Sequence, residues 1–272
     1  MDDGGAVQIF ELTKRYPGAA RNAIENIEIS IPTGATCGVI GPNGAGKSTL
    51  INCLVGLEPA SAGTALLGGW SMGTSRAKAA VSFAPDDLPL PTLLTGREYS
   101  GFVNALEQRG KRADTIFLDL AEQFGIARSI DSLLGTYSHG MRRRLQFAVS
   151  FGSSAEIIIL DEPFSGLDIE GSLLLRAALR AWTQSGRTAL VSIHDMLTAE
   201  RECDFGAVLS DGRLVGSGPI RSIIAQSGAA DLEGAVLILS GIQDPTERSR
   251  VEFDRILSSI SPSEIPHNTA RL

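Results

Sequence analysis

The chain has 272 residues, 43% of them apolar and 20% charged, which is enough to bury a sizeable core in one large domain with at most a small appendage. Its formal net charge of -7 works against general nucleic-acid binding, which needs surplus Lys and Arg, but local backbone amides can still hold one anion. No apolar run reaches the roughly 18–20 residues that span a bilayer, MDDGGAVQIF has no secretory pattern, and the scattered Cys37, Cys53 and Cys203 form neither a disulfide framework nor a zinc pattern. A cytoplasmic chain is expected.

In chain order, Val7 and Ile9, then Ile27, Ile29 and Ile31, alternate with polar residues and predict strands with one buried face. TCGVI (36–40) is an apolar run that enters GPNGAGKST (41–49). STLINCLVG then predicts a helix, with Leu50, Leu54 and Leu57 at helical spacing. In this strand–turn–helix, Gly41, Gly44 and Gly46 let the backbone take φ > 0 and turn its N–H groups inward as an anion cradle. The helix adds the positive end of its dipole. Lys47 can reach the outer phosphates of a nucleotide, and the Ser48 hydroxyl can ligate a bridging magnesium ion. The pattern G-x-x-x-x-G-K-S/T arises by chance in a chain of this length at roughly the 1% level, so a bare flexible turn is disfavoured.

Further strands are predicted at Val81–Phe83, Ile157–Leu160, Thr188–Ser192 and Ala207–Leu209. Between about 92 and 135 the period changes to 3.6. Thr95 and Glu98 form a capping box ahead of GREYSGFVNALEQRG, whose Phe102, Val103 and Leu106 share a stripe, and ADTIFLDLAEQFGI follows. These segments predict a helical insert between two runs of strand and helix. In YSHGMRRRLQFAVSF (137–151), Ser138 and Gly140 open an amphipathic helix carrying Leu145, Ala148 and Phe151. Its free N–H groups suit a phosphate; taken alone, the segment also fits a Ser-capped helix with three solvated arginines. IIILDEP (157–163) delivers Asp161 and Glu162 at the C-terminal end of a buried strand, where open α/β sheets hold ligands. Asp161 would hold magnesium, through water, and Glu162 would orient or deprotonate the attacking water. Asp211-Gly212 before RLVGSG is a two-residue hairpin signal. After about 241 the polar QDPTERSR and SPSEIPHNTARL read as a partly disordered tail. Strand–helix alternation implies an α/β fold with a largely parallel sheet.

Together these motifs resemble the ATP-binding subunit of an ABC transporter, over roughly residues 6–241. GPNGAGKST matches the Walker A loop, IIILDEP the Walker B strand, YSHGM the signature motif and SGLD (165–168) the D-loop. SIHD supplies the switch histidine, His194, and Tyr16 stands where an aromatic residue stacks on adenine. DGRLVGSG and ADLEGAVLILSG look like exporter-type members that serve a separately encoded permease.

The resemblance implies a P-loop ABC ATPase fold: a mixed β core, a RecA-like parallel sheet and an α-helical subdomain at about 87–150. It places the ATP-binding domain at 1–241, followed by the tail at 242–272. It also implies ATP and Mg2+ as cofactors. Gly41, Pro42, Asn43, Gly44, Ala45, Gly46, Lys47, Ser48 and Thr49 would surround the phosphates, Tyr16 would stack on the base, and Ser48, Asp86 and Asp161 would lie at the metal. Glu162 and His194 would be catalytic. Two such subunits would pair head to tail, with Ser138 and Gly140 reaching the γ-phosphate across the interface and Asp168 coupling the two sites. The helical insert would grip a cytoplasmic helix of the permease through apolar positions such as Leu88 and Leu90. The chain would be peripheral on the cytoplasmic membrane face, with no nucleic-acid partner.

Two departures stand out. Tyr137, His139 and Met141 replace the Leu, Gly and Gln of the signature, and Asp86 in VSFAPDDLPL occupies a usual glutamine position. Asp can still ligate magnesium. Three alternatives stand beside this reading. A soluble ABC ATPase of translation or repair usually has two cassettes or a long coiled-coil insertion, both missing here. A P-loop kinase or GTPase has no reason to carry YSHGM, SGLD and SIHD together. A non-catalytic nucleotide-binding module has no need of both Glu162 and His194.

Overall fold

Alternating burial in β1 (Val7–Lys14) and β2 (Ile24–Ile31) follows the alternating sequence, with Val7, Ile9, Ile27, Ile29 and Ile31 facing inward. The computed structural model describes residues 5–86, 89–110, 112–242 and 246–258. β3 (Thr36–Ile40) is buried throughout. α1 (Lys47–Val55) starts inside the glycine-rich motif and stops at Gly56, which takes a left-handed φ of 77°. Leu57, expected on the helix stripe, therefore falls beyond the helix and is 64% exposed. β4 (Ala62–Leu67), β5 (Trp70–Ser71), the short α2 (Ser75–Ala79) and β6 (Val81–Ala84) come next. The helical insert comprises α3 (Gly96–Leu106), α4 (Ala113–Gln123) and α5 (His139–Phe151). The rest of the chain runs β7 (Ile157–Leu160), α6 (Ile169–Gln184), β8 (Thr188–Ile193), α7 (Met196–Glu202), β9 (Phe205–Ser210), β10 (Arg213–Pro219), α8 (Ile220–Ser227), α9 (Leu232–Ser240) and α10 (Thr246–Ser258).

Two sheets form. One is antiparallel, in the order β2-β1-β4-β5; the other runs β10-β9-β3-β8-β7-β6 and is parallel except for β10 at its edge. The parallel sheet is buried on both faces, so its strands read as continuous apolar runs. Ile157, Ile159, Leu190 and Val39 join a core with α1 and the antiparallel sheet, while Ile158, Leu160, Val191 and Ile40 join a second core with the helices. The β9–β10 hairpin turns at Asp211 (φ 46°) and Gly212 (φ 77°), both left-handed as the Asp-Gly signal requires.

Register fixes where the site can lie. Ile40 pairs with Ile193, Val191 with Leu160, and Leu160 with Ala84. The loops after β3, β6, β7 and β8 therefore all leave the same edge of the sheet, where such folds bind ligands.

The Thr95–Glu98 capping box forms as expected, with Glu98 Oε2 accepting from Thr95 N–H at 2.8 Å, and the stripe on α3 divides, Val103 packing against the helical core while its neighbours stay in solvent. Ser100 and Asn104 take the inner face, Asn104 donating to Asp114 on α4, while Phe102 is 53% and Leu106 66% exposed. In the tail, read from its polarity as partly disordered, Thr246–Ser258 forms helix α10. An Arg255–Glu252 ion pair three residues apart supports that helix. Residues 259–272 and Leu88 lie outside the described residues. Among the described residues, no single helix is long and apolar enough to cross a membrane.

Candidate functional site

The loop between β3 and α1 has the shape its glycines predict. Gly41, Gly44 and Gly46 all have positive φ. A Cβ on Gly41 would sit 2.3 Å from Leu209 O, and one on Gly46 would sit 2.7 Å from Ala23 O, so both positions exclude any side chain. The Ala45 N–H closes a turn onto Pro42 O at 3.1 Å, and Ala45 packs in the core. An opening of about 340 Å³ is lined by Ala23, Asn43, Gly44, Gly46, Lys47, Ser48, Thr49 and Glu162. Lys47 is only 6% exposed, and its Nζ donates to the loop carbonyls of Gly41 (2.8 Å) and Pro42 (3.2 Å). Burial lowers its pKa, against the opposing pull of Glu162 and Asp161. A desolvated ammonium held chiefly by neutral carbonyls is a receptor for an anion.

The carboxylate pair meets this lysine from β7. Glu162 Oε1 lies 3.8 Å from Lys47 Nζ, and Glu162 Oε2 lies 2.5 Å from His194 Nδ1. Glu162 adopts a left-handed φ of 46°. That conformation costs a non-glycine residue about 1–3 kcal/mol and is concentrated at functional sites. Ser192, a buried residue of β8 that sequence reasoning passed over, holds both carboxylate residues. Its Oγ accepts from the Glu162 N–H at 2.8 Å and donates to Asp161 Oδ1 at 2.5 Å. The one advance signal was its place in SIHD, two residues before His194.

The remaining expected residues lie elsewhere. Tyr16 is half-buried in the turn after β1, with the Lys14 ammonium 4.9 Å from its ring centroid, and it does not line the opening. Ser138 caps α5, its Oγ accepting from the Met141 N–H at 3.2 Å, and the space above Gly140 is clear. Neither lines the opening. Asp168 caps α6 through the Gly171 N–H (2.8 Å) and receives Arg144 Nη2 at 2.8 Å; Arg144 first, then that N–H, holds its carboxyl below the usual range. Leu90 is buried, contrary to its expected exposure, because it packs into the helical core. A groove of about 410 Å³ instead exposes Phe83, Pro85, Tyr99, Phe102 and Leu106.

The arginines of α5 divide by helical position. Arg142 is exposed and Arg144 pairs with Asp168 and Glu170, whereas Arg143 is 2% exposed, which removes the reading of three solvated arginines. Arg143 Nη1 donates to Pro85 O (2.5 Å), and its Nη2 donates to Asp161 O (2.5 Å). Asp86, expected at the metal, is half exposed, and its nearest basic atom is Arg143 Nη2 at 3.9 Å. Burial depresses the Arg143 pKa, with Asp86 the largest opposing influence. Its burial was signalled by spacing, since Arg143, Phe147 and Phe151 recur every four residues on one face.

Comparison with known proteins bears on this geometry. A sequence model of the ABC transporter family matches residues 24–165. The daunorubicin/doxorubicin resistance ATP-binding protein of Streptomyces peucetius is 31% identical over 257 residues, covering 93% of this chain and 75% of that protein. The fluoroquinolones export ATP-binding protein of Mycobacterium tuberculosis is 35% identical over 219 residues, covering 77% of this chain and 69% of that protein. A solved ATP-binding subunit of an ABC transporter superposes with a TM-score of 0.81 at 26% identity, over 86% of this chain and 99% of that one. A dimeric ATP-binding cassette bound to ADP and phosphate, 22% identical with a TM-score of 0.70, shares the fold.

Proposed function

The chain belongs to the ABC transporter family and is one of its ATP-binding, ATP-hydrolysing subunits; from that premise we propose that it powers an exporter by hydrolysing ATP at the loop between β3 and α1. The observation that carries this reading is the Lys47–Glu162–His194 cluster at the mouth of the phosphate cradle. As a family subunit it works with membrane-embedded components and dimerises.

The residues present fit a nucleotide and its metal. The start of α1, which no side chain caps, and Lys47 offer positive charge to phosphates. Ser48 and Asp161 offer a hydroxyl and a carboxylate oxygen, the donor chemistry of a hard cation. Bound there, magnesium would neutralise charge on the outer phosphates.

The protein's own steps follow from the geometry. On binding, Lys47 exchanges two neutral carbonyls for phosphate oxygens and recovers the electrostatic cost of its burial. Glu162 accepts a proton from, or orients, the attacking water, and His194 holds the Glu162 carboxylate in place. Ser192 keeps Asp161 and Glu162 in fixed register. In this reading Ser138 and Gly140, which do not line the opening, act on the nucleotide of a second subunit arranged head to tail, with Asp168 coupling the sites and Tyr16 stacking on the base. The apolar groove beside α3 receives a cytoplasmic helix of a separately encoded permease, which holds the subunit on the cytoplasmic membrane face.

The test is phosphate release by the purified chain, with Lys47→Ala as the control. Magnesium-dependent turnover that the substitution abolishes is expected. Equal turnover by a folded Lys47→Ala protein would overturn the site.

A further inference from the structure

We propose that Arg143 is a positioning residue for ATP turnover, and that its buried charge is what allows a carboxylate, Asp86, to stand in the loop after β6. The inference rests on the reading that the neighbouring site turns over ATP.

β6 and β7 are adjacent and parallel, with Ala84 paired to Leu160, so their next residues, Pro85 and Asp161, emerge side by side. The guanidinium spans both ends. Nη1 donates to Pro85 O at 2.5 Å and Asp86 O at 3.2 Å, and Nη2 donates to Asp161 O at 2.5 Å. A planar fork can hold two separate carbonyls at once, which a single ammonium cannot. One side chain on α5 thereby fixes the loop carrying Asp86 and the strand end carrying Asp161 and Glu162.

Charge balance supplies the second part. A buried cation needs an opposite charge, because neutral carbonyls alone leave most of its desolvation cost standing. Three of the hydrogen-bond partners of Arg143 are backbone oxygens, the fourth is the neutral Gln146 Oε1, and Nε is buried with no partner. Among the described residues the carboxylate within ion-pair distance is Asp86, at 3.9 Å, and it outweighs Asp161 and Glu162 in opposing the effect of burial on Arg143. Asp86 leaves β6 at the sheet edge that also carries Asp161 and Glu162, so its negative charge acts on a triphosphate bound at that edge unless a cation offsets it. Each residue makes the other tolerable.

The test is a double-mutant cycle of Arg143→Gln, Asp86→Gln and the double variant, followed by three readouts. These are thermal unfolding of the nucleotide-free protein, titration with a fluorescent ATP analogue without metal, and kcat and KM for magnesium-ATP. Arg143→Gln leaves Asp86 uncompensated and should weaken analogue binding by about tenfold. Asp86→Gln in that background should bring binding back to within about threefold of wild type and recover at least about 2 °C of Tm. Arg143→Lys keeps the charge but cannot bridge both carbonyls, so it should hold analogue affinity while lowering kcat. If Arg143→Gln does not fold, Arg143→Lys with and without Asp86→Gln completes the cycle: Asp86→Gln should lower Tm less beside a lysine, which is better able to reach solvent than the fixed guanidinium. Strictly additive effects in Tm and binding would overturn the pairing, as would a shift in magnesium requirement for Asp86→Gln that is the same with or without Arg143, which would make Asp86 a metal ligand. Absence of turnover in the wild type would refute the functional reading instead, while the Tm and binding cycles would still report on the pair.

Discussion

Replacing Glu162 with Gln isolates charge from shape. Gln keeps an acceptor for the His194 Nδ1–H, now 2.5 Å from Glu162 Oε2, and it keeps the side-chain volume. It removes the negative charge 3.8 Å from Lys47 Nζ. With an effective dielectric constant of about 20, that pair has a gross attraction of about 4 kcal/mol. Desolvation of both partners offsets most of it, and Lys47 retains two carbonyl acceptors, so the nucleotide-free protein should lose only about 1 kcal/mol. That corresponds to a fall in Tm of about 2–4 °C. Binding moves the other way, because the site loses a negative charge beside the phosphates; ATP affinity should be unchanged or tighter. Turnover should drop about 10²–10⁴-fold, the usual contribution of a positioned general base. Phosphate release gives the rate, a fluorescent ATP analogue gives the affinity, and size-exclusion chromatography with ATP and magnesium should reveal a trapped dimer. Turnover within about threefold of wild type, with binding intact, would refute the role given to Glu162.

Other substitutions probe separate parts of the molecule. Ser192→Ala removes the hydroxyl that joins Asp161 to the Glu162 N–H; kcat should fall at least about tenfold with little change in analogue affinity, measured by the same two assays. Leu106→Glu, on the exposed edge of the groove, should abolish co-purification with the permease while the isolated subunit keeps its basal turnover. Thr95→Ala breaks the capping box and should lower Tm by about 2–4 °C at pH 7. The hydrogen bonds from Thr95 hold the Glu98 carboxyl below its usual range, so their stabilisation is present above about pH 4 and is lost as pH falls through the lowered folded value. Alanine keeps the backbone N–H bond to Glu98 and loses only the bonds of the hydroxyl, so the Tm penalty of Thr95→Ala should shrink in part toward pH 3; a penalty independent of pH would remove the hydroxyl–Glu98 bond from the account.

The sequence by itself determined whatever depends on neighbours a few residues apart. Alternation in β1 and β2, the left-handed glycines of the phosphate loop, the Asp211-Gly212 turn and the Thr95–Glu98 cap all follow from local sterics and hydrogen bonding, and each forms as read. The end of α1 was misjudged because Gly56 stops the helix before Leu57, a local signal outweighed by apparent periodicity. The tertiary structure alone decided which face of each helix would be covered. Periodicity defines a stripe on α3 but not its partner: Val103 packs on the helical core, Phe102 and Leu106 stay exposed, and Asn104 turns inward to meet Asp114 of α4. Arg143 is drawn out of water for the same kind of reason: the parallel pairing of β6 and β7 sets Pro85 O and Asp161 O side by side, although 76 residues separate them in the chain. Ser192 becomes the link between Asp161 and Glu162 only when β8 lies beside β7. Contacts of that range depend on strand order and register, which arise from burying both faces of the parallel sheet at once and are not encoded in any single short segment.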